Sequence, residues 1–241
     1  MADSQSKFYG LLALIFVAGA ALIGYLTVEN RSPTPGGDAS DSLSQVVLDD
    51  LAAGDLGVVS GSASAPVVIE EYADYLCGAC GMVATLTVPQ ILENYIDTGK
   101  ARFVFYDFPL NPGSPAELAA QAARCAGDQN AFWPMHKVLM GRQREWGTSR
   151  RVTEMFRRYG DGLGLNGKAI EECVDGGKYR DAVIGSGQRA RQLGLNQTPT
   201  FIINGRVHLG AMGYDRLAQI IDEELARRQT AGQAPAPTEG Q

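Results

Sequence analysis

The pattern of hydrophobic and polar positions divides the chain into an apolar segment, a polar linker, one long folded unit and a polar tail. Residues 8–28 hold no charged side chain, and about 20 such residues suffice to cross a bilayer as a helix. Residues 29–45 are rich in Ser, Pro, Gly and Asp, which predicts a flexible tether. Residues 229–241 have almost no large apolar side chain, so we expect a disordered tail. The folded unit is therefore predicted over residues 46–228.

The apolar segment has two interpretations, an uncleaved membrane anchor or a cleaved secretory signal. Ala18-Gly19-Ala20 is a small-residue run of the kind that signal peptidase cuts. The apolar run continues beyond it to Leu26, which favours an uncleaved single transmembrane helix with residues 1–7 in the cytoplasm. Both interpretations place the folded unit on the periplasmic or extracytoplasmic side, either anchored to the membrane or, after cleavage, soluble in the periplasm.

The periodicity inside the folded unit predicts an α/β fold. The predicted elements are a strand over residues 67–72, a helix over 80–97, a strand over 102–106, a helical block over 114–194, a hairpin of strands 200–203 and 206–209, and a helix over 214–228. Asn204-Gly205 supplies the two-residue turn of the hairpin. Pro89 lies inside the first helix and should kink it. This order predicts a mixed sheet flanked by helices, with a helical insertion over about residues 111–194.

Charge and cysteine content narrow the function classes. The net charge of -6 and the pI near 5.0 provide no basic face for nucleic acid. Four cysteines allow three full pairings, and disulfides persist in oxidising compartments outside the cytosol. Spacing singles out Cys77 and Cys80, which leaves Cys125 and Cys173.

The Cys77-Gly78-Ala79-Cys80 segment has the features of a thiol–disulfide exchange site. A cysteine reacts as its thiolate. The predicted strand leads directly into Cys77, which places this residue at a helix start. There the backbone N–H groups and the helix dipole favour negative charge. Cys77 is then the nucleophile and Cys80 the resolving thiol. The alternatives are an inert disulfide and half of a zinc site. Zinc needs four ligands, and no second Cys pair exists, so we expect no metal and no cofactor.

The segment from Glu71 to Cys80 resembles the active-site segment of the DsbA-like branch of the thioredoxin superfamily, which includes BdbD and DsbG types. Further matching segments follow in the family's order: 88–89, 95–99, 104–110, 122–126, 131–136 and 194–205. The resemblance covers about residues 58–228. It implies a thioredoxin-like fold with an inserted helical domain.

The resemblance also implies roles for individual residues. Pro199 would be cis, with Thr198 facing the Cys pair across a substrate groove. Glu71 would be a buried acid that relays the proton of Cys80. The neighbouring Glu70 should point to the opposite strand face, so this role depends on register. Cys125 and Cys173 would form a structural disulfide; the alternative is two buried free thiols. His136 and His208 receive no catalytic role.

The predicted function is that of an exported thiol:disulfide oxidoreductase of DsbA type. Its expected partners are exported polypeptides with cysteines and a membrane redox partner that recycles the Cys77/Cys80 pair. Strong oxidants of the family often hold a histidine between the cysteines, whereas Gly78-Ala79 offers no charge and no side-chain donor. A less oxidising potential is therefore expected. Two alternatives stay open: a reductase or isomerase with a membrane electron donor, and a chaperone-like binding module without turnover.

Overall fold

The computed structural model describes residues 56–232. The predicted anchor or signal, the whole predicted tether, residues 46–55 of the predicted folded unit and residues 233–241 of the predicted tail lie outside these residues. The last helix, predicted to end at residue 228, continues to Gly232, so the first four residues of the predicted tail are helical instead. Among the described residues no helix is long and apolar enough to cross a membrane.

The described residues form one five-stranded sheet flanked by helices. The strands are β1 (Val58–Ser60), β2 (Val67–Ala73), β3 (Ala101–Asp107), β4 (Thr200–Ile203) and β5 (Arg206–Leu209). Their spatial order is β1-β3-β2-β4-β5. β2 pairs parallel with β3 and antiparallel with β4, while β1 and β5 form antiparallel edges. The mixed sheet is the one that the sequence predicts.

The helices are α1 (Gly78–Met82), α2 (Val88–Ile91), α3 (Pro115–Gly127), α4 (Phe132–Gly141), α5 (Gln143–Trp146), α6 (Val152–Gly162), α7 (Gly167–Asp175), α8 (Arg180–Gln192) and α9 (Tyr214–Gly232). Two π-helical segments, Val83–Thr87 and Leu92–Ile96, follow α1 and α2. We call the whole run of residues 78–96 the cysteine helix. Helices α3 to α8 lie between β3 and β4, which confirms the helical insertion.

The structure adds a strand, β1, that was not predicted, and the helix is irregular next to Pro89, where the kink stays a prediction. β1 has only three residues, too few to show an alternating pattern, and pairing with β3 rather than local sequence defines it. Pro89 stands in the first turn of α2, inside the continuous cysteine helix and directly after its first π-helical segment. In that segment the Val88 N–H bonds to the Val83 carbonyl, five residues back, so the helical hydrogen-bond spacing widens just before the proline.

The hairpin at the end of the sheet has the predicted turn. Asn204 and Gly205 have φ values of 46° and 81°, the left-handed conformation that a two-residue turn of this type requires at both positions. The Asn204 side chain also accepts a hydrogen bond of 2.9 Å from the Val68 N–H, and its own N–H donates to the Val68 carbonyl. The turn is thereby fixed to β2 as well as to its own strands.

The two faces of the sheet are covered differently. One face packs on the cysteine helix, α9 and the insertion, where Phe103 and Phe105 contact the aromatic side chains of α4. The other face packs on α8 around Tyr72 and Tyr106, whose rings stack at 4.7 Å. Because both faces are covered, β2 is buried along almost its whole length rather than alternating, and its two adjacent acids, Glu70 and Glu71, are buried with it.

A disulfide joins the insertion internally. Cys125 of α3 and Cys173 of α7 are bonded, with their Cα atoms 6.0 Å apart and a separation of 48 positions in sequence. Such a bridge restricts the unfolded chain and contributes on the order of 2 to 4 kcal/mol to stability. It holds together helices that otherwise meet through small side chains, because α3 packs mainly through buried alanines.

Candidate active site

The turn between β2 and the cysteine helix sets the position of Cys77. The Asp74 carboxylate accepts hydrogen bonds from the N–H groups of Leu76, at 2.7 Å, and of Leu110, at 2.9 Å. The Cys77 N–H donates to the Asp74 carbonyl at 3.0 Å. Asp74 therefore fixes the turn and ties it to the loop after β3. It does not cap the cysteine helix, since the residue at the N-cap position is Cys77.

Cys77 occupies the N-cap with its sulfur turned to the helix start. Its Sγ accepts a hydrogen bond from the Cys80 N–H at 3.3 Å. The pKa of Cys77 is lowered from 9.0 to about 6, chiefly by a hydrogen bond with the Cys80 thiol and further by the Thr198 side chain and the backbone N–H groups of Cys80 and Ala79. Partial burial opposes this effect. Cys77 is half-buried, so its thiolate is populated at neutral pH and open to solvent on one side.

Cys80 behaves in the opposite way. Its side chain is fully buried, and burial raises its pKa far above the usual range. The hydrogen bond to the Cys77 sulfur and the nearby charges of Cys77 and Glu71 raise it further. Cys80 therefore keeps its proton and donates a hydrogen bond to the Cys77 thiolate. Both cysteines are free thiols in this structure.

A cis peptide bond joins Thr198 and Pro199 and faces the cysteines. The Thr198 carbonyl lies 3.4 Å from Cys77 Sγ, to which the thiol form donates. The loop stands there because β4, which begins at Thr200, pairs with β2, and β2 leads into the cysteine helix.

The two glutamates of β2 point to opposite faces of the sheet. Glu71 is buried on the cysteine side, and neither carboxyl oxygen has a hydrogen-bond partner among the described residues. Burial, and then the charge of Cys77, raises its pKa to about 8. Glu70 lies on the α8 side, 3.7 Å from Arg189 Nη2, and burial raises its pKa to about 7. Glu71 is thus the acid beside the cysteines, and it carries a proton at neutral pH.

Two contacts from the insertion reach this site, and the sequence reasoning did not identify either one. A hydrogen bond of 2.8 Å joins Tyr75 Oη and His136 Nδ1 of α4. His136 is buried, and burial lowers its pKa to about 3, so it is a neutral packing partner. The Gln143 Nε2 donates to the Cys77 carbonyl at 2.9 Å. No local pattern marks Gln143, because only the packing of α5 brings it to the cysteine helix.

The other histidine lies apart from these contacts. His208 is on the edge strand β5, and its Nε2 has no hydrogen-bond partner among the described residues. The described residues also contain no group of three or more His, Cys, Asp or Glu side chains that could hold a metal ion.

A cavity of about 450 Å³ opens next to Gly78, between the start of the cysteine helix and the α4–α5 turn. Gly78, Gly81, Met82 and Thr85 line one side, and residues 140–145 line the other. Met82 and, one turn on, Leu86 are more than half exposed. The surface around the reactive sulfur therefore offers both apolar contact area and space for a bound chain.

Comparison with known proteins places this site in a family. The thioredoxin family model matches residues 55–223. The chain belongs to the thioredoxin family. A sodium/proton antiporter of Salinispora tropica, NhaA 3, is 31% identical over 169 residues, which are 70% of this chain and 24% of the antiporter. This chain therefore spans about a quarter of that relative. Disulfide bond formation protein D of Bacillus subtilis is 25% identical over 69% of this chain and 76% of its own length.

Solved structures share the fold. BdbD of Bacillus subtilis superposes with a TM-score of 0.64 at 24% identity and covers 71% of this chain and 94% of its own. The α-DsbA1 protein of Wolbachia pipientis has a TM-score of 0.65 at 24% identity, with coverages of 73% and 94%. The resemblance stated from the sequence is thereby confirmed.

The difference between the two thiols predicts selective labelling. In the reduced protein we expect iodoacetamide to modify Cys77 with a rate that is half-maximal near pH 6, because only the thiolate reacts and a lowered pKa keeps it populated as pH falls. Cys80 should stay unmodified while the protein is folded. Mass spectrometry of digests across pH 4 to 9 measures both rates. A midpoint above pH 8 for Cys77, or equal labelling of both thiols, would contradict this assignment.

Proposed function

We propose that this chain is a protein thiol:disulfide oxidoreductase in which Cys77 and Cys80 exchange a disulfide with cysteine-containing polypeptides. The observation that carries the proposal is the opposite proton affinity of the two thiols, one half-exposed at a helix start and one buried beside Glu71. A structural thiol pair has no need of such a difference. The names of the Bacillus relatives, which are disulfide bond formation proteins, support the same activity.

In the oxidising direction the oxidised pair accepts two electrons from a substrate dithiol. A substrate thiolate attacks Cys77 Sγ, the accessible sulfur, so that a mixed disulfide forms and the Cys77–Cys80 bond breaks. Cys80 leaves as a thiolate and takes up a proton. The second substrate thiolate then attacks the substrate sulfur of the mixed disulfide, which closes the substrate disulfide and releases Cys77 as a stable thiolate. The reductase direction is the reverse of these steps.

Glu71 is the proposed proton relay for Cys80. Its carboxyl is protonated at neutral pH because its pKa is raised to about 8, and within residues 56–232 it has no hydrogen-bond partner that would hold this proton. Transfer to the departing Cys80 thiolate would avoid a bare thiolate in a fully buried position, which is costly. The proton then returns from solvent or from Cys80 in the reverse step.

Thr198 and Pro199 are the proposed substrate-binding residues. A cis bond turns the loop so that its main chain faces the Cys77 sulfur. An extended peptide that pairs with this main chain would bring its own cysteine over Cys77. The cavity beside Gly78 and Gly81 offers space for the residues that follow.

The oxidising direction is favoured over the reducing one by the lowered pKa of Cys77. A stabilised thiolate makes the reduced form more stable and the disulfide easier to reduce. The stabilisation comes from the Cys80 thiol, the Thr198 side chain and the backbone N–H groups of the helix start, whereas Gly78 and Ala79 contribute no charged group. A moderate oxidant is therefore proposed. A binding module without turnover would not need free, unequally acidic cysteines.

We further propose that the domain works outside the cytoplasm, delivered by residues 8–28 as an anchor or signal and recycled by a membrane redox partner. The uncharged length of that segment supports export. The Cys125–Cys173 disulfide supports an oxidising compartment.

Trapping of mixed disulfides tests the reaction. The oxidised wild-type protein should oxidise a reduced, unfolded ribonuclease. In the reduced Cys80→Ser variant, Cys77 should instead form a stable mixed disulfide with an oxidised substrate, because no resolving thiol remains. The Cys77→Ser variant is the matched control and should form none. Non-reducing gels and mass spectrometry identify the adduct. Full turnover by Cys77→Ser would remove the proposed function.

Replacement of Glu71 tests the proton relay. We expect Glu71→Gln to slow substrate oxidation by about tenfold at pH 6 to 7, since the amide cannot deliver a proton. The wild-type advantage should shrink as pH rises through about 8, where Glu71 itself loses its proton. Stopped-flow measurements on wild-type and variant proteins with equal folded fractions give the ratio of their substrate-oxidation rates. Glu70→Gln, on the other face of β2, should leave that pH trend intact. A constant ratio from pH 6 to 10 would contradict the relay.

Thiol labelling in whole cells tests direction and location together. We expect a membrane-impermeant maleimide to reach Cys77 only after mild reduction, because the pair of an exported oxidase is held oxidised at steady state. A permeant maleimide added without reduction should also leave Cys77 and Cys80 unmodified, because the pair is oxidised. A mostly reduced pair would support the reductase alternative. Protection of Cys77 from the impermeant reagent after reduction would contradict export.

A further inference from the structure

We propose that Gln143, from the helical insertion, is a positioning residue that holds Cys77 in the geometry that stabilises its thiolate. This inference rests on the proposed function for its use in exchange, but its physical content concerns Cys77 alone. It assigns the insertion a direct influence on the chemistry of the cysteine pair.

The Cys77 carbonyl is the point of contact. It accepts two hydrogen bonds, one of 3.0 Å from the Gly81 N–H, which is the first bond of the cysteine helix, and one of 2.9 Å from Gln143 Nε2. The second donor restrains the peptide plane that follows Cys77, where ψ is 115°. That restraint keeps the Cys77 sulfur at 3.3 Å from the Cys80 N–H.

The donor also acts electrostatically. A backbone carbonyl carries partial negative charge at its oxygen, which disfavours a thiolate nearby. A hydrogen bond from a neutral amide offsets part of that charge without adding a counter-ion. This role matters here because the Gly78-Ala79 pair supplies no side-chain donor of its own.

Gly81 allows Gln143 to approach the cysteine helix closely. A Cβ atom at Gly81 would lie 2.9 Å from Gln143 Oε1 and 2.9 Å from the Met140 carbonyl. The second of these atoms is backbone and cannot swing away. Glycine weakens a helix, so its place in α1 is explained by the close packing of the α4–α5 turn on the cysteine helix.

The segment that carries Gln143 is firmly held. Trp146, one turn further along α5, is fully buried and packs against Phe156 of α6 at 5.5 Å between ring centroids. Its Nε1 donates to the Leu139 carbonyl of α4 at 2.9 Å. Gln143 thus reaches Cys77 from a rigid support, and its side chain is itself half-buried.

The test measures the pKa of the Cys77 thiol in the reduced full-length chain from the pH dependence of iodoacetamide alkylation. Gln143→Met keeps side-chain length but removes the donor, and we expect it to raise this pKa by about half a unit to one unit. Gln143→Glu adds a negative charge and should raise it by about one unit or more.

Gln90 provides the matched control. It lies on the same cysteine helix, is exposed, and its Nε2 donates to the Leu86 carbonyl at 2.7 Å. Gln90→Met and Gln90→Glu therefore remove a similar bond and add the same charge far from the sulfur. We expect both to leave the pKa of Cys77 within about 0.2 units of the wild type, a margin set by the distance dependence of charge effects.

Gln143→Lys separates the proposed role from a merely structural one. Its ammonium can again donate to the Cys77 carbonyl, so the pKa should return to the wild-type value or fall below it. General loosening of α5 would raise the pKa in the Met, Glu and Lys variants alike, and that outcome would overturn the inference. So would a folded Gln143→Met variant whose Cys77 pKa is unchanged.

These outcomes are independent of catalysis, because alkylation needs no protein substrate. A chain that fails to oxidise polypeptides but whose Cys77 pKa follows residue 143 would remove the proposed function and keep this inference. Catalytic turnover with a pKa insensitive to residue 143 would do the reverse.

Discussion

The hydrogen bond from the Cys80 N–H to the Cys77 sulfur depends on a helix that begins at Cys77 and on a sulfur that stays beside that helix start. Much of the surrounding structure serves this geometry. The Asp74 carboxylate fixes the turn before Cys77, and pairing of β2 with β4 brings the cis-proline loop to its open side. Burial keeps the Cys80 thiol protonated, so that it donates a hydrogen bond to the Cys77 sulfur. A thiolate at this position is therefore stabilised by dipoles and a neutral thiol, without a cationic side chain.

The sheet separates two acids that are adjacent in sequence. Glu70 and Glu71 both lose hydration, and the pKa of each is raised. On the α8 side, however, Glu70 meets Arg189 and Tyr106, so its burial is compensated by structural partners. Glu71 has no such partner among the described residues. A buried carboxyl without hydrogen bonds is costly to stability. In the proposed mechanism, however, its position lets it supply a proton to the neighbouring Cys80 thiolate.

The helical insertion does more than enlarge the core. It contacts the redox segment through Tyr75 and His136 and through the Cys77 carbonyl and Gln143, while the Cys125–Cys173 disulfide stiffens it from within. Because rigid packing transmits small displacements, changes in the insertion can reach the sulfur without touching it. The thioredoxin-like sheet and the insertion thus both determine the position of Cys77 Sγ.

Local sequence determined the elements with strong patterns and the chemistry of the cysteine pair. The β-branched run of β2, the Asn204-Gly205 turn and the two-residue spacing between Cys77 and Cys80 each depend on short-range stereochemistry. The tertiary structure alone decided that β1 pairs with β3, that Glu71 rather than Glu70 faces the cysteines, and that Asp74 bonds to Leu110 instead of capping the helix. It alone brought Gln143 to a carbonyl 66 residues away in sequence. These features depend on long-range contacts and on the loss of water around particular groups, and neither is encoded in the residues next to them.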